Sequence, residues 1–140
     1  MSDLPDASAL PVVVIGAGAA GLLAAGFAGE RGRDVLMIEG TRQGGKKIVI
    51  SGGGRCNVLP SAPDLSRFVT HGSPNTLRRV LRSWPADEQR TFFEQTLSVP
   101  LAIEDETGKL FPVSNKATDV RDALFAFAST RHRSSSRQAD

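Results

Sequence analysis

Residues 12–21 read VVVIGAGAAG, a run of four β-branched residues followed by a turn with glycines at positions 16, 18 and 21. The apolar run is continuous rather than alternating, which is typical of a strand covered on both faces in a parallel α/β sheet. The glycines satisfy the G-x-G-x-x-G pattern, which is weak evidence on its own in a chain with 14 glycines among 140 residues. The neighbouring segments decide what the pattern means.

Those segments complete a strand, helix, strand unit. Residues 22–32, LLAAGFAGERG, predict a helix that packs closely on a sheet and ends at Gly32. Residues 35–39, VLMIE, predict a second short strand that ends on an acid, Glu39. A strand, a glycine turn that opens a helix, and an acid after the next strand form the setting in which this pattern binds a dinucleotide.

Each residue of the pattern has a separate physical task. We expect Gly16 to permit the tight turn, Gly18 to let a pyrophosphate approach the backbone, and Gly21 to let helix and strand pack without an intervening Cβ. The free N–H groups at the helix N-terminus favour phosphates. Glu39 would accept hydrogen bonds from the adenosine ribose and repel a 2′-phosphate, so the predicted ligand is FAD or NAD rather than NADP.

A second glycine-rich and cationic stretch follows Glu39. It contains GGKK at residues 44–47 and SGGGRCN at residues 51–57. Such a loop can lie along an extended cofactor and offer backbone N–H groups and the Arg55 guanidinium to a phosphate or an anionic flavin. The alternatives are a flexible linker for the glycines and surface charge for Arg55. Cys56 is either a small residue packed against the cofactor or a reactive thiol.

Composition argues against several other functions. A single cysteine excludes an internal disulfide and a multi-cysteine zinc site, and the two histidines lie far apart, so we predict no metal site. Seven Phe, one Trp and no Tyr at a net charge of +2 make a poor case for nucleic-acid binding. The uncharged run Ala7–Gly29 is interrupted by Pro11 and five glycines, and acids precede it. We therefore expect a cytoplasmic protein without a membrane span.

The remainder of the chain predicts further helices and a hairpin. Residues 76–83 and 86–97 predict two amphipathic helices, residues 99–111 a hairpin that turns at positions 106–108, and residues 119–129 a helix capped by Thr118 or Asp119. We expect a flexible N-terminus at residues 1–10, one domain at residues 11–128 and a disordered tail at residues 129–140.

The motifs GAGAAG, Glu39, GGKKIVISGGGRCNV and GKLFPVSNKATDVRDAL occur here in the order seen in a known family. The chain resembles the HI0933-like flavoproteins, also called BaiN-type or aminoacetone-oxidase-type FAD-dependent oxidoreductases, from about Pro11 to Ala128. The stretches KKIVISGGGRCN and KLFPVSNKA are the most specific. The resemblance implies an α/β fold, the N-terminal part of a Rossmann-like FAD-binding, two-dinucleotide-binding-type fold. It also implies non-covalently held FAD and a redox activity driven by NAD(P)H or a substrate.

The resemblance also implies a set of cofactor-binding residues. The pyrophosphate would be bound by Gly16, Ala17, Gly18, Ala19, Ala20 and Gly21, and the ribose by Glu39. The cofactor would be lined by Gly45, Lys46, Lys47, Gly53, Gly54, Arg55, Cys56 and Asn57, the last three towards the flavin. A second patch consists of Phe111, Pro112, Ser114 and Lys116. No residue is predicted to be catalytic, because no acid and base constellation is evident.

Two departures from the family pattern stand out. Val58-Leu59-Pro60 follows Asn57 where relatives continue with Thr and Asn, and relatives are much longer than this chain. We therefore expect an N-terminal fragment with an incomplete sheet, inactive alone and with weak or no flavin absorbance. The alternative is a non-catalytic module that binds FAD, ADP or a partner without turnover.

Overall fold

The computed structural model describes residues 10–129, with Leu65 described by its backbone alone. The predicted flexible N-terminus and disordered tail fall mainly on residues 1–9 and 130–140, which lie outside this description. The chain divides into two compact units, the first formed by residues 1–49 and 121–140 and the second by residues 50–120. None of the helices between residues 10 and 129 is both long and apolar enough to cross a membrane.

The first unit contains the predicted strand, helix, strand arrangement. Strand β1 (Val12–Ile15) leads into helix α1 (Ala19–Glu30), and strand β2 (Val35–Ile38) returns parallel to β1, with Val12 opposite Val35 and Ile15 opposite Ile38. Gly32 follows the helix with φ of +74°, as its predicted role at the helix end requires. The predicted Rossmann-type unit is therefore present at residues 12–38.

The core of this unit lies between one face of the sheet and the helices. Val14, Ala25 and Val35 form a buried cluster. Helix α5 (Ala117–Ser129) contributes its residues 121–129 to this unit, and a Cβ at Gly26 would overlap the ring of Phe127. Phe127 also makes an edge-to-face contact with Phe27, with ring centroids 5.3 Å apart. A glycine in α1 thus lets an aromatic ring of α5 reach the helix backbone.

The other face of the same sheet is exposed. Val13 and Ile15 of β1 are 53% and 83% exposed, and their neighbours in register, Leu36 and Ile38 of β2, are each 50% exposed. The prediction of strands covered on both faces is therefore wrong for this chain. The strands are fully apolar, but among residues 10–129 the elements packed on this sheet are α1 and α5, and they cover one face.

The second unit is built around a three-stranded antiparallel sheet, which consists of β3 (Leu59–Pro60), β4 (Leu101–Glu104) and β5 (Lys109–Pro112) in the order β3, β5, β4. Strands β4 and β5 form the predicted hairpin, and strand β3 pairs with β5. Gly108 has φ of +65° and donates its N–H to the carbonyl of Glu104 at 2.8 Å, which closes the turn. The hairpin prediction is confirmed, with the turn at residues 105–108.

The helices differ from the prediction in four places. Helix α2 (Lys46–Ile50) forms where the sequence showed only a short apolar segment. Helix α3 (Pro74–Ser83) begins two residues early, and helix α4 (Ala86–Thr91) continues as a π-helix over Phe92–Thr96. Helix α5 begins at Ala117, so the predicted caps Thr118 and Asp119 lie inside its first turn. The cap prediction is wrong because the turn at residues 112–116, in which Asn115 has φ of +55°, starts the helix earlier.

Candidate functional site

The glycine turn between β1 and α1 is shaped by two of its three glycines. Gly16 has φ of +97°, and its N–H donates to the carbonyl of Ile38 at 2.7 Å, which joins the turn to the end of β2. A Cβ at Gly21 would overlap the carbonyl oxygen of Gly16 and lie 3.3 Å from a Val14 methyl group. The turn therefore needs glycine at position 16 for its backbone conformation and at position 21 for close packing.

Gly18 has a different role. It is the N-cap of the twelve-residue helix α1, no side chain caps the helix there, and a Cβ at this position would meet no atom within 4 Å. Ala19 and Ala20, the first two helical residues, are exposed. A helix N-terminus with uncapped N–H groups and no obstructing side chain can accept an anionic group such as a pyrophosphate.

Glu39 is fixed by the turn that it follows. One carboxylate oxygen accepts a hydrogen bond from the N–H of Ala17 at 2.6 Å, and the other accepts one from the N–H of Thr41 at 2.6 Å. Hydrogen bonds from the Thr41 side chain and from the N–H groups of Ala17 and Thr41 lower the pKa of Glu39. Glu39 is thus an oriented, ionised carboxylate that also binds the glycine turn. Thr41, which lies two residues after the acid, is a site residue that no sequence motif indicates.

The next glycines pack against this turn. Gly45 donates its N–H to the carbonyl of Ala17 at 2.8 Å, and Gly44 donates to the hydroxyl of Thr41 at 3.2 Å. A Cβ at Gly44 would lie 2.7 Å from the ring of Phe125, and one at Gly45 would lie 2.7 Å from the side chain of Arg121. The N–H of Gly45, predicted to face a cofactor, is therefore used within the protein.

The side chains near this second glycine pair are polar. Lys46 and Lys47 open helix α2 and are exposed, as a role in contacting an anion requires. Nearby, a shallow cavity of about 380 Å³ is lined by Gln43, Arg121, Asp122 and Phe125. No sequence motif indicates these four residues, because the residues of α5 are separated from Gln43 by about half of the chain.

The loop of residues 51–57 lies in the second unit. Gly52, Gly53 and Gly54 have φ values of +55°, +67° and +87°, so all three adopt backbone conformations that favour glycine. A Cβ at Gly52 would lie 2.8 Å from the Phe111 ring, whereas Gly53 and Gly54 are exposed and open. The three glycines therefore form a defined turn, and the alternative of a flexible linker is not what the backbone shows.

Arg55 makes two contacts within the second unit. Its Nη1 lies 2.8 Å from a carboxylate oxygen of Glu104, and its guanidinium carbon lies 4.1 Å from the centroid of the Phe111 ring. The hydroxyl of Thr107 donates to the other carboxylate oxygen of Glu104 at 2.7 Å. A hydrogen bond from Thr107 and the contact with Arg55 lower the pKa of Glu104. No sequence motif indicates Glu104, which lies 49 positions from Arg55.

Cys56 and Asn57, which are adjacent in the loop, differ in exposure. Cys56 is buried, and burial raises the pKa of its thiol, although a hydrogen bond with Ser51 opposes this. Its φ of +65° is rare for a residue with a side chain. Asn57 is exposed. The geometry favours packing over reactivity for Cys56, because a reactive cysteine needs a lowered pKa and access.

The four residues of the second patch also differ in exposure. Phe111 and Pro112 are buried in strand β5, and Ser114 and Lys116 are exposed in the turn that follows. Phe111 supports the loop of residues 51–57 through its contacts with Gly52 and Arg55. The role of this patch is structural at Phe111, and the two exposed residues make no contact that assigns them to a site.

The predicted cofactor-binding residues are distributed over both units. Gly16, Ala17, Gly18, Ala19, Ala20, Gly21, Glu39, Gly45, Lys46 and Lys47 lie in the first unit, and Gly53, Gly54, Arg55, Cys56 and Asn57 lie in the second. Between residues 10 and 129 no group of three or more His, Cys, Asp and Glu side chains could hold a metal ion.

Three curated proteins show what the chain is similar to. It is 35% identical over 114 residues to the 3-dehydro-bile acid delta(4,6)-reductase of Clostridium scindens, covering 79% of this chain and 27% of that protein. It is 53% identical over 45 residues to the ribosomal RNA dihydrouridine synthase of Escherichia coli and 44% identical over 45 residues to that of Haemophilus influenzae. Each of these two matches covers 32% of this chain and 11% of the relative.

The chain thus spans about a quarter or less of the length of these relatives. A match to one domain family covers nearly all of it: residues 10–139 match the HI0933-like protein Rossmann domain. The predicted family and the predicted Rossmann-type α/β fold are confirmed, and the chain belongs to the HI0933-like protein family.

Proposed function

We propose that this chain is the FAD-binding portion of a flavin-dependent oxidoreductase. Membership of a flavin-binding Rossmann family supports a flavin as the cofactor. The glycine turn before α1 supports the dinucleotide form, FAD, because such a turn binds a pyrophosphate that FMN lacks.

One observation carries this proposal. The N-terminal end of α1 is uncapped, and the open Cβ position at Gly18 leaves space for a ligand beside the backbone. Gly21 and Gly16 hold the turn in this conformation, and Glu39 ties it to the end of β2. The residues present therefore fit a pyrophosphate without rearrangement of the backbone.

Glu39 supports a ribose without a 2′-phosphate. Its carboxylate is ionised and oriented by the N–H groups of Ala17 and Thr41. A carboxylate accepts up to about four hydrogen bonds, so a ribose hydroxyl can join or replace the contacts that Glu39 makes with Ala17 and Thr41. A 2′-phosphate at this position would place two anions side by side, which favours FAD over NADP as the ligand of this turn.

The names of the relatives suggest the class of reaction. Dihydrouridine is uridine with two added hydrogens, and a delta(4,6)-reductase removes carbon–carbon double bonds, so both names denote reduction. We infer that the enzyme reduces a carbon–carbon double bond with NAD(P)H as the electron donor. The flavin supplies the hydride chemistry when bound. The residues of this chain bind and orient it, and none of those between positions 10 and 129 is assigned as an acid or a base.

A fluorescence titration tests the binding proposal. Adding this chain to FAD should change the flavin fluorescence in a saturable way, with a dissociation constant on the order of 10–100 µM, because the glycine turn is open to solvent. Gly18→Ala should weaken binding by about tenfold or more, because a methyl group would occupy the space for the pyrophosphate. Gly72→Ala is the matched control, since a Cβ there meets the rest of the chain only at 3.4 Å, in an exposed loop.

The FAD titration gives different results depending on whether the proposal is correct. Saturable binding that Gly18→Ala weakens and Gly72→Ala leaves unchanged supports the proposal. No saturable signal from the unmodified chain, or equal affinities for the two variants, contradicts it. A parallel assay of NADH and NADPH oxidation tests turnover, and we expect none from this chain alone.

The predicted lack of a nucleic-acid partner needs its own test, because two relatives are named for ribosomal RNA. We expect no mobility shift of a ribosomal RNA fragment with this chain, since it is poor in stacking aromatic residues. A salt-sensitive shift at micromolar protein would show that this expectation is wrong.

A further inference from the structure

A closed set of hydrogen bonds surrounds the start of the glycine turn in the first unit. The N–H of Ala17 donates to one carboxylate oxygen of Glu39 at 2.6 Å, and the carbonyl of Ala17 accepts from the N–H of Gly45 at 2.8 Å. The N–H of Thr41 donates to the other carboxylate oxygen of Glu39 at 2.6 Å, and its hydroxyl accepts from the N–H of Gly44 at 3.2 Å. Because Gly44 directly precedes Gly45, the set closes, and Thr41 connects the acid to the glycine pair.

The hydroxyl of Thr41 acts as an acceptor and a donor at the same time. A threonine hydroxyl has one O–H donor and two acceptor lone pairs. One lone pair is used by the N–H of Gly44, which leaves the O–H for Glu39. A hydrogen bond with the Thr41 side chain is the largest cause that lowers the pKa of the Glu39 carboxyl. Thr41 therefore holds Glu39 through its backbone and through its side chain.

The glycine pair to which Thr41 is bound is packed in place. Gly44 and Gly45 are buried, with φ of +58° and +61°. A Cβ at Gly44 would lie 2.7 Å from the ring of Phe125, and one at Gly45 would lie 2.7 Å from the side chain of Arg121. Although Thr41 itself is exposed, its hydroxyl is thus anchored to a segment that has little room to shift.

Holding a carboxylate before the ligand arrives affects affinity. A glutamate side chain has several rotatable bonds, and ordering it on binding costs free energy. Glu39 is half-buried and already fixed at both carboxylate oxygens. Part of the ordering cost has therefore been met in the unbound chain, and the hydroxyl of Thr41 contributes to this.

We propose that Thr41 is a positioning residue, whose hydroxyl holds the Glu39 carboxylate where it accepts hydrogen bonds from the ribose hydroxyls of the bound adenine nucleotide. This inference rests on the proposed function, and all of its residues lie in the first unit. The sign of the effect is informative. A hydroxyl that only occupies an acceptor position of Glu39 competes with the ribose, so its loss would strengthen binding. A hydroxyl that positions the carboxylate favours binding, so its loss weakens binding.

The test measures the affinities of ADP and 2′,3′-dideoxy-ADP by displacement of FAD from this chain. The two nucleotides share the base and the pyrophosphate, but only ADP has ribose hydroxyls. Thr41→Val should raise the dissociation constant for ADP by about fivefold and change that for 2′,3′-dideoxy-ADP by less than about twofold. Thr41→Ser keeps the hydroxyl and should leave both constants within about twofold of those of the unmodified chain. A merely structural defect would weaken both nucleotides alike.

Thr70→Val is the matched control. The hydroxyl of Thr70 also accepts the N–H of a glycine, Gly72, at 3.0 Å, at an exposed position of the second unit. Its loss should change neither affinity by more than about twofold. Thr41→Ala removes the hydroxyl of Thr41 without adding a methyl group, and it repeats the test if circular dichroism shows that Thr41→Val fails to fold.

Three results would overturn the inference while leaving the proposed function intact. One is an affinity of Thr41→Val for ADP that equals or exceeds that of the unmodified chain. Another is an equal loss of affinity for the two nucleotides. The third is a loss in Thr41→Ser as large as that in Thr41→Val. A lack of saturable FAD binding by the unmodified chain is distinguishable from all three, because it contradicts the proposed function and the inference together.

Discussion

The two glycine-rich segments of this chain resemble each other in sequence but are held in place by different means. The first, residues 16–21, is fixed through its backbone, since the N–H of Ala17 is bound by Glu39 and its carbonyl by the N–H of Gly45. The second, residues 51–57, has backbone hydrogen bonds within the turn, such as that from the N–H of Cys56 to the carbonyl of Ser51 at 3.0 Å, and is held to the hairpin by the side chain of Arg55, which contacts Glu104 and Phe111. In both cases a carboxylate distant in sequence contacts a residue of the glycine turn.

The glycines themselves also serve different purposes. Gly21 is needed because a side chain would collide with the backbone of Gly16. A Cβ added at Gly53 or at Gly54 would meet no atom within 4 Å, so glycine is needed at these positions only for its positive φ. A collision costs more than an unfavourable backbone angle, so the two segments should tolerate substitution unequally.

The largest expected effect is therefore on stability at Gly21. Gly21→Ala should lower the free energy of unfolding by about 3 kcal/mol or more, because the carbonyl of Gly16 cannot move away without breaking the turn. Gly53→Ala should cost about 1 kcal/mol, the penalty of a left-handed conformation. Urea unfolding followed by circular dichroism measures both. Equal losses for the two variants would remove the distinction between the segments.

The next effect concerns Glu39 and ligand choice. Glu39→Gln should raise the dissociation constant for FAD by about tenfold, because a neutral amide is a weaker acceptor for the ribose and for the N–H of Ala17. It should also reduce the preference for ADP over adenosine 2′,5′-bisphosphate in a competition assay. Glu30→Gln, at the exposed end of α1, is the control and should leave both quantities unchanged. A tenfold loss in the control would point to net charge rather than to position.

A smaller effect should appear when stability is followed against pH. Hydrogen bonds, first of all with Thr41, lower the pKa of Glu39 below its ordinary value of 4.5, and those from Thr107 and Arg55 do the same for Glu104. A carboxylate with a lowered pKa stabilises the folded state above its ordinary pKa, and this contribution is lost as the pH falls through the lowered value.

The melting temperatures of Glu39→Gln, of Glu104→Gln and of the unmodified chain should therefore converge as the pH decreases from about 7 to about 3. Glu106→Gln, at an exposed position of the hairpin turn, is the control. A difference in melting temperature that is constant over this range would show that neither carboxylate is stabilised by its hydrogen bonds.

The smallest effect on the fold is expected at Cys56, where the prediction concerns reactivity. Burial raises the pKa of this thiol, so its thiolate is scarce at neutral pH. Alkylation by iodoacetamide should be at least about tenfold slower in the folded chain than in urea. Equal rates in the two states would favour the alternative of an accessible, reactive thiol.

The parts of the fold that could be predicted from sequence depend on local patterns. The β1, α1 and β2 unit follows from an apolar run, a glycine turn and an acid at the correct spacing, all within 28 residues of one another. The β4 and β5 hairpin follows from a turn with Gly108 between two apolar runs. These patterns carry the information because their contacts are close in sequence.

The parts that could not be predicted depend on distant contacts. Nothing near Arg55 in the sequence indicates Glu104, and nothing near Gly26 indicates the ring of Phe127. The face formed by Val13, Ile15, Leu36 and Ile38 is exposed, although its apolar sequence predicts burial. An apolar strand sequence indicates a surface suited to burial, but it does not identify the element that would cover that surface. The site was therefore predictable in its binding motif and unpredictable in the side chains that hold the second loop.

A titration of the ¹⁵N-labelled chain with FAD, followed by two-dimensional NMR, tests the central claim most directly. If the open end of α1 binds the pyrophosphate, the amide signals of Gly18, Ala19 and Ala20 should show the largest shifts in the first unit, because their N–H groups would gain hydrogen bonds to phosphate oxygens. Unchanged positions of these three signals at saturating FAD would contradict the account.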